Sequence, residues 1–295
     1  MHKLRRKSPS PRMTIVSRIV VPVALSAAVA VASAGCVSGS RPRAAAAAAR
    51  SRPRPARTAA PNDSLSRTAP ASPRPLRAAR AATNPSRILV GQIANRLPTH
   101  RRVVALTFDA GADDAGAPKI FATLQSRHVT ATFFMTGRWA QLYPRWARRI
   151  AARYPVGNHT YDHTDLLGLS LGAVRREILT AQSAIAAISR RSPTRLFRFP
   201  YGSSSPSTLR TANELGYTAV GWTVDTIGWE GTSGGQSVAT VVQRALSHLE
   251  PGEIVLMHVG ANPNDHSTLD ADALARIIDN IRRRGYAFVA LPEYL

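Results

Sequence analysis

One cysteine, Cys36, stands in a chain of 295 residues. Without a second thiol an internal disulfide is excluded, so the fold must rest on its core whichever compartment holds it. Acidic residues are scarce as well: 17 Asp and Glu face 39 Lys and Arg, a formal net charge of +22. The shortage is local. Residues 1–102 hold 20 of the 39 basic side chains and a single acid, Asp63, whereas residues 103–295 hold the other 19 against 16 acids. The part that carries the apolar strands is therefore close to neutral. A nucleic-acid groove needs its cations on the folded part, so the high charge does not point to a nucleic-acid partner. No internal repeat is present, and no apolar run reaches the ~20 residues of a membrane-spanning helix.

Ile19 to Ala34 is an apolar run broken only by Pro22 and two serines. It follows a basic start (Lys3, Arg5, Arg6, Lys7, Arg12, Arg18) and ends in Ala32-Ser33-Ala34. That order is the pattern of an export signal with a small-x-small cleavage site. Cys36, after Ala34-Gly35, offers the alternative of lipoprotein processing. Residues 1–36 are accordingly expected to be a signal peptide. The rest is expected to be secreted or held by a lipid at Cys36 on the outer face of the cytoplasmic membrane. Residues 37–100 are mostly Ala, Arg, Pro and Ser, as in Arg50-Ser51-Arg52-Pro53-Arg54-Pro55. Such a segment reads as a disordered basic linker suited to an anionic wall or lipid surface. The folded domain is expected over residues 101–295, as a monomer.

From Val103 onward strand-like and helix-like segments alternate. Val103–Phe108, Thr130–Met135, 196–199, 217–224, 253–258 and 286–291 read as strands. Helices are expected at 118–127, from Pro144, from Ser170, and at 206–215, 237–249 and 270–284, several closed by Gly or Pro-Gly. Alternation of this kind specifies an α/β fold. About seven βα units leave either a barrel with an incomplete strand set or a doubly wound sheet.

Two histidines four residues apart, His159 and His163 in Gly157-Asn158-His159-Thr160-Tyr161-Asp162-His163, carry the most chemistry. On a helical turn residues at this spacing share a face, and two imidazoles so placed can hold one divalent metal. Polar residues at the ends of apolar runs add to the pair: Asp109, Arg198, Asp225 and His258. Catalytic groups of parallel α/β folds gather at those ends.

The order Thr107-Phe108-Asp109-Ala110-Gly111, His159-Thr160-Tyr161-Asp162-His163, Arg198-Phe199-Pro200-Tyr201, Asp225-Thr226-Ile227-Gly228-Trp229 and Leu256-Met257-His258 resembles the polysaccharide deacetylases with a NodB-like domain, carbohydrate esterase family 4. The resemblance implies a distorted (β/α) barrel of about seven strands, a divalent metal, usually zinc, and hydrolysis of N- or O-acetyl groups on an acetylated polysaccharide such as peptidoglycan. It implies His159 and His163 as metal ligands and Asp109 as general base, with Arg198 holding Asp109 ionised. The backbone N–H of Tyr201 would serve the oxyanion, and His258 would be the general acid. Trp222, Trp229 and Leu256 would wall the acetyl pocket. Two positions depart from the family pattern. Its second Asp, a metal ligand, is Ala110 here, and Asp113 in the same loop is the expected substitute, with two histidines and water as the alternative. The Asp that precedes Trp is Gly228 here, and Asp225 or Asp162 are the candidates to serve His258 instead. An O-acetyl esterase and a non-catalytic glycan binder are the competing readings.

Overall fold

The computed structural model describes residues 89–295. The expected signal peptide, the cysteine and most of the linker lie outside the described residues. No described helix is long and apolar enough to cross a membrane.

Among the described residues nine strands form one sheet: β1 (Ile93–Ala94), β2 (Val103–Ala110), β3 (Thr132–Met135), β4 (Val156–Asn158), β5 (Leu196–Phe197), β6 (Thr218–Val220), β7 (Val224–Asp225), β8 (Glu253–His258) and β9 (Ala287–Phe288). All paired strands run parallel, in the order β1-β6-β5-β4-β3-β2-β8-β7, with β9 also on β2. The two ends of this path meet. β6 pairs with β5 and β1, and four residues after β6 ends the same chain pairs with β8 as β7. An antiparallel bridge from Arg96 to Glu253 ties the edge beside β1 to β8. The sheet is therefore curled into the distorted barrel that the resemblance implied, not the doubly wound sheet that the alternation also allowed.

Alternation along the strands separates two cores. Val103, Ala105, Phe134, Leu196, Val220 and Ile254 fill the barrel interior. Val104, Leu106, Phe108, Phe133, Met135, Val255 and Met257 point outward. They are covered there by helices α1 (Ala117–Ser126), α3 (Pro144–Ala151), α6 (Val238–Leu246) and α7 (Leu269–Arg283). Because both faces are covered, all eight residues of β2 are buried, which is why it reads as a continuous apolar run. Truncating Leu106, fully buried at its centre, should cost about 2–5 kcal/mol.

Local chemistry sets the helix starts. Ser170 accepts the Ala173 N–H to cap α4 (Leu171–Ser189), whose Val174, Ile178, Ala181 and Ile185 make the buried stripe. Ser205 and Ser237 form capping boxes with Thr208 and Thr240 at α5 (Pro206–Glu214) and α6. Thr136 caps α2 (Gly137–Leu142), a helix too short for its period to stand out in the sequence.

Three expectations change. The folded part begins no later than Leu89, not at residue 101. Ile93 and Ala94 pair with Ala219 and Val220, Leu97 is buried, and the Gly91 N–H donates to Asn213 Oδ1. A two-residue strand has no periodicity to betray it. The stretch 217–224 is interrupted, because Gly221 leaves the strand. Its carbonyl accepts from Arg198 Nη2 at 2.9 Å, and a Cβ there would lie 2.0 Å from Asn95 Oδ1. The histidine pair sits not on a helix but in the loop after β4, where Thr160 and His163 both have positive φ.

Candidate active site

The alternation that builds the barrel also builds the site. Thr107 and Asp109 share the inward parity of Val103 and Ala105, Arg198 that of Leu196, and His258 that of Ile254. All sit at the C-terminal ends of parallel strands, so they meet at one mouth of the barrel. The β2–β8 register sets Asp109 directly beside His258. A cleft of about 440 Å³ opens there, lined among others by Asp109, His159, His163, Trp222, Trp229 and His258. Tyr201 and Leu256 also line it. That volume suits a sugar-sized ligand.

Asp109 and Arg198 form its floor. Arg198 is fully buried, and its Nη1 donates to Asp109 Oδ1 at 2.8 Å and to Thr107 Oγ1 at 3.0 Å. The guanidinium also lies 4.2 Å above the Phe134 ring. Burial alone would raise the Asp109 carboxyl, but the charge of Arg198 and its hydrogen bond, with the field of His258, outweigh it and hold the group below the usual carboxylate range.

His159 is almost fully buried. Its Nδ1 lies 2.8 Å from the Arg198 carbonyl, which can only accept, so Nδ1 carries the proton. Burial disfavours the imidazolium, so the ring is neutral and Nε2 holds a lone pair. That nitrogen faces Asp109 Oδ2 at 3.4 Å. Two acceptors thus oppose each other, an arrangement a cation would relieve. His163 packs edge-on against His159 (centroids 4.8 Å apart) and against Tyr201 (4.7 Å). Burial and the neighbouring His159 lower its pKa to about 4, so it too is a neutral ligand-type imidazole at pH 7. The loop that turns both rings inward is held by Asn158, whose Oδ1 accepts the Thr160 N–H, and by Glu177, which accepts from Tyr161 N and Asp162 N. The donor set therefore fits a divalent metal held by His159 and His163.

It does not supply the third ligand that was expected. Asp113 Oδ1 accepts the N–H groups of Ala115 (2.9 Å) and Ala261 (3.0 Å), so its carboxylate pins the loop after β2 to the loop after β8. Ala110 points outward into the core beneath the helices. Among the described residues no three His, Cys, Asp or Glu side chains converge as a metal site.

Around His258 the outcome also differs from expectation. Asp225 lines the cleft, but its Oδ1 accepts the Ile227 N–H. Asp162 is tied to Thr164 within its own loop. The carboxylate against His258 is Asp270, in the first turn of α7, which sequence reasoning missed. An acid there reads as an ordinary partner of the helix dipole, which hides it. Tyr201 has φ 59 and ψ 7, the left-handed region, and stands exposed at the rim with Trp229.

A curled parallel sheet with these groups at its mouth defines the class, and the comparisons give the family. The model for polysaccharide deacetylase matches residues 96–220, which include Asp109, both histidines and Arg198. A peptidoglycan-N-acetylglucosamine deacetylase of Bacillus cereus is 34% identical over 197 residues, covering 66% of this chain and 69% of its own. The solved Bc1960 peptidoglycan N-acetylglucosamine deacetylase is 33% identical with a TM-score of 0.63, covering 69% of this chain and 92% of its own. BA3943 of Bacillus anthracis, described as a CE4 family pseudoenzyme, is 28% identical with a TM-score of 0.63, covering 70% and 69%. The chain belongs to the polysaccharide deacetylase family.

Proposed function

We propose that this protein hydrolyses acetyl groups from N-acetylhexosamine units of a cell-envelope glycan such as peptidoglycan, using a divalent metal, zinc, held by His159 and His163. The observation that carries the proposal is the Arg198–Asp109 pair at the cleft floor, with a neutral His159 on one side and His258 on the neighbouring strand. A bound divalent metal supplies Lewis acidity, making water more acidic and the acetyl carbonyl more electrophilic.

The chain's own residues do the rest. Asp109, kept ionised by Arg198, is the base that takes a proton from the attacking water. The Tyr201 backbone N–H stabilises the oxyanion. His258 gives a proton to the departing amine. Although burial opposes the charged ring, Asp270, Asp109 and Asp225 together raise its pKa, so an acid form persists near neutral pH. Trp222, Trp229 and Leu256 exclude water from the acetyl group. Secretion or a lipid at Cys36, with a basic tether, would bring the domain to an anionic envelope.

Likeness to a pseudoenzyme, together with Ala110, favours a second reading: a glycan binder without turnover. An O-acetyl esterase would use the same site. Acetate release from N-acetylglucosamine oligomers, peptidoglycan and acetylxylan, with and without added zinc, separates the three. Release from the N-acetylated substrates supports the proposal. Release from acetylxylan alone selects the esterase, and zinc-independent silence on every substrate selects the binder.

A further inference from the structure

Asp270 is almost fully buried, and its carboxylate is fully engaged at one spot. Oδ1 accepts the Thr226 hydroxyl at 2.6 Å, and Oδ2 accepts the His258 backbone N–H at 2.8 Å. The same Oδ2 lies 3.5 Å from His258 Nδ1. That ring nitrogen is buried and makes no hydrogen bond among the described residues, and Asp270 Oδ2 is the carboxylate oxygen paired with it. The other carboxylates that face the ring, Asp109 from β2 and Asp225 from β7, are tied to Arg198 and to the Ile227 N–H. The nearby cationic-type groups are His159 and His163.

Gly228 shows that the space is reserved. A Cβ at 228 would sit 2.4 Å from Asp270 Oδ1 and 2.6 Å from its Cγ, so any side chain at 228 would force this carboxylate out of its place. The backbone does not demand glycine there, since Gly228 is not among the positive-φ residues. What demands it is Asp270.

We infer that Asp270 is the positioning residue of His258: it accepts the Nδ1 proton, fixes the tautomer that turns Nε2 toward the cleft, and stabilises the imidazolium. It does so from the first turn of α7, in room that Gly228 leaves open. The inference deepens the proposed function, in which His258 is the acid, but its first test does not depend on turnover.

That test is NMR titration of the His258 ring in the intact domain and in Asp270→Asn. The amide oxygen can still accept the His258 N–H while its NH2 donates to Thr226 Oγ1, whose hydroxyl proton goes to the Leu256 carbonyl, so the contacts persist while the charge goes. An opposite charge at this distance shifts a pKa by about 1–3 units, so the ring in D270N should titrate at least about one unit lower. A titration equal to that of the unsubstituted domain overturns the inference. If the protein releases acetate, D270N should lower kcat at least about tenfold with KM little changed, and move the basic limb of the pH profile down. A lower melting temperature with an unmoved pH profile would mean that Asp270 is only structural, and would also overturn it. The double variant Gly228→Asp/Asp270→Ala puts a carboxylate back in the same space from the other side. It should restore most of the ring shift that Asp270→Ala alone loses, and failure in a folded double variant counts against the inference. If the domain releases no acetate from any substrate, the deacetylase reading falls while the ring titration still decides the role of Asp270.

Discussion

Replacing Arg198 with Met tests the physics of the cleft floor. The substitution keeps a similar apolar stem and removes the guanidinium. Arg198 is fully buried, Asp109 nearly so, and they share a 2.8 Å charge-assisted hydrogen bond. The guanidinium also donates to Thr107 Oγ1 and to the Gly221 carbonyl. Removing one partner of such a pair leaves an uncompensated buried charge, at a cost of about 3–5 kcal/mol. In a domain of roughly 200 residues 1 kcal/mol corresponds to about 2–4 °C, so the melting temperature should fall by about 6–20 °C. The loss should depend on pH with a definite sign. In the unsubstituted protein the Asp109 pKa is depressed on folding, so its contribution is present above the unfolded value of about 3.9 and is lost as pH falls below it. Without Arg198, burial raises the same carboxyl, so Asp109 destabilises the fold at neutral pH and ceases to do so once protonated. The difference in unfolding free energy between the two proteins should therefore be largest near pH 7 and shrink toward pH 4. Urea unfolding across that range measures it, and the double variant with Asp109→Asn should recover much of the loss. A pH-independent difference below about 1 kcal/mol, the ordinary worth of one neutral hydrogen bond, would refute the reasoning.

Two further outcomes concern the metal. His159→Ala and His163→Ala should each leave a folded domain without bound zinc, measured by elemental analysis after dialysis, because one imidazole alone holds zinc poorly. Normal metal content in either variant removes that histidine from the site. Asp113→Ala should leave zinc affinity unchanged in a chelator-competition assay. It should instead loosen the rim, seen as faster amide exchange at Ala115 and Ala261, whose N–H groups lose their acceptor. A large fall in affinity would return Asp113 to the metal.

Much of the candidate site's placement was legible in the sequence because it follows the strands. β2 and β8 are long apolar runs, and Asp109 and His258 mark their ends, so strand, parity and position are read together. The histidine pair was legible as chemistry but not as geometry. The spacing suggests a helical turn, whereas the rings converge through the positive φ of Thr160 and His163. Those angles depend on Asn158 and Glu177, which act from a strand end and from α4. The miss at Asp270 has the same origin. Nothing near His258 in sequence announces an acid twelve residues later on a helix, and only the three-dimensional clash at Gly228 links the two. β1 was hidden by its length, and its two pairs become meaningful only once the barrel closes on β6.

The two departures from the family pattern have opposite fates, and this shapes the expected behaviour of the enzyme. At position 228 the lost carboxylate is matched by another in the same space, so the proposed acid, His258, still has a carboxylate beside it. At position 110 no such exchange occurs. Alanine is buried outward in the core, Asp113 is committed to two backbone N–H groups, and no third ligand converges among the described residues. A metal held by two histidines should bind more weakly than one held by the three protein ligands usual at a catalytic zinc. Acetate release should therefore rise with added zinc well beyond one equivalent, while the pH profile keeps the shape set by Asp109 and His258. The two features separate cleanly in one experiment, a zinc titration repeated at several pH values. Saturation at a single equivalent would mean that a ligand outside the described residues completes the site. A zinc requirement that rises toward acid pH would be expected in addition, since protonation of His159 and His163 competes with the metal.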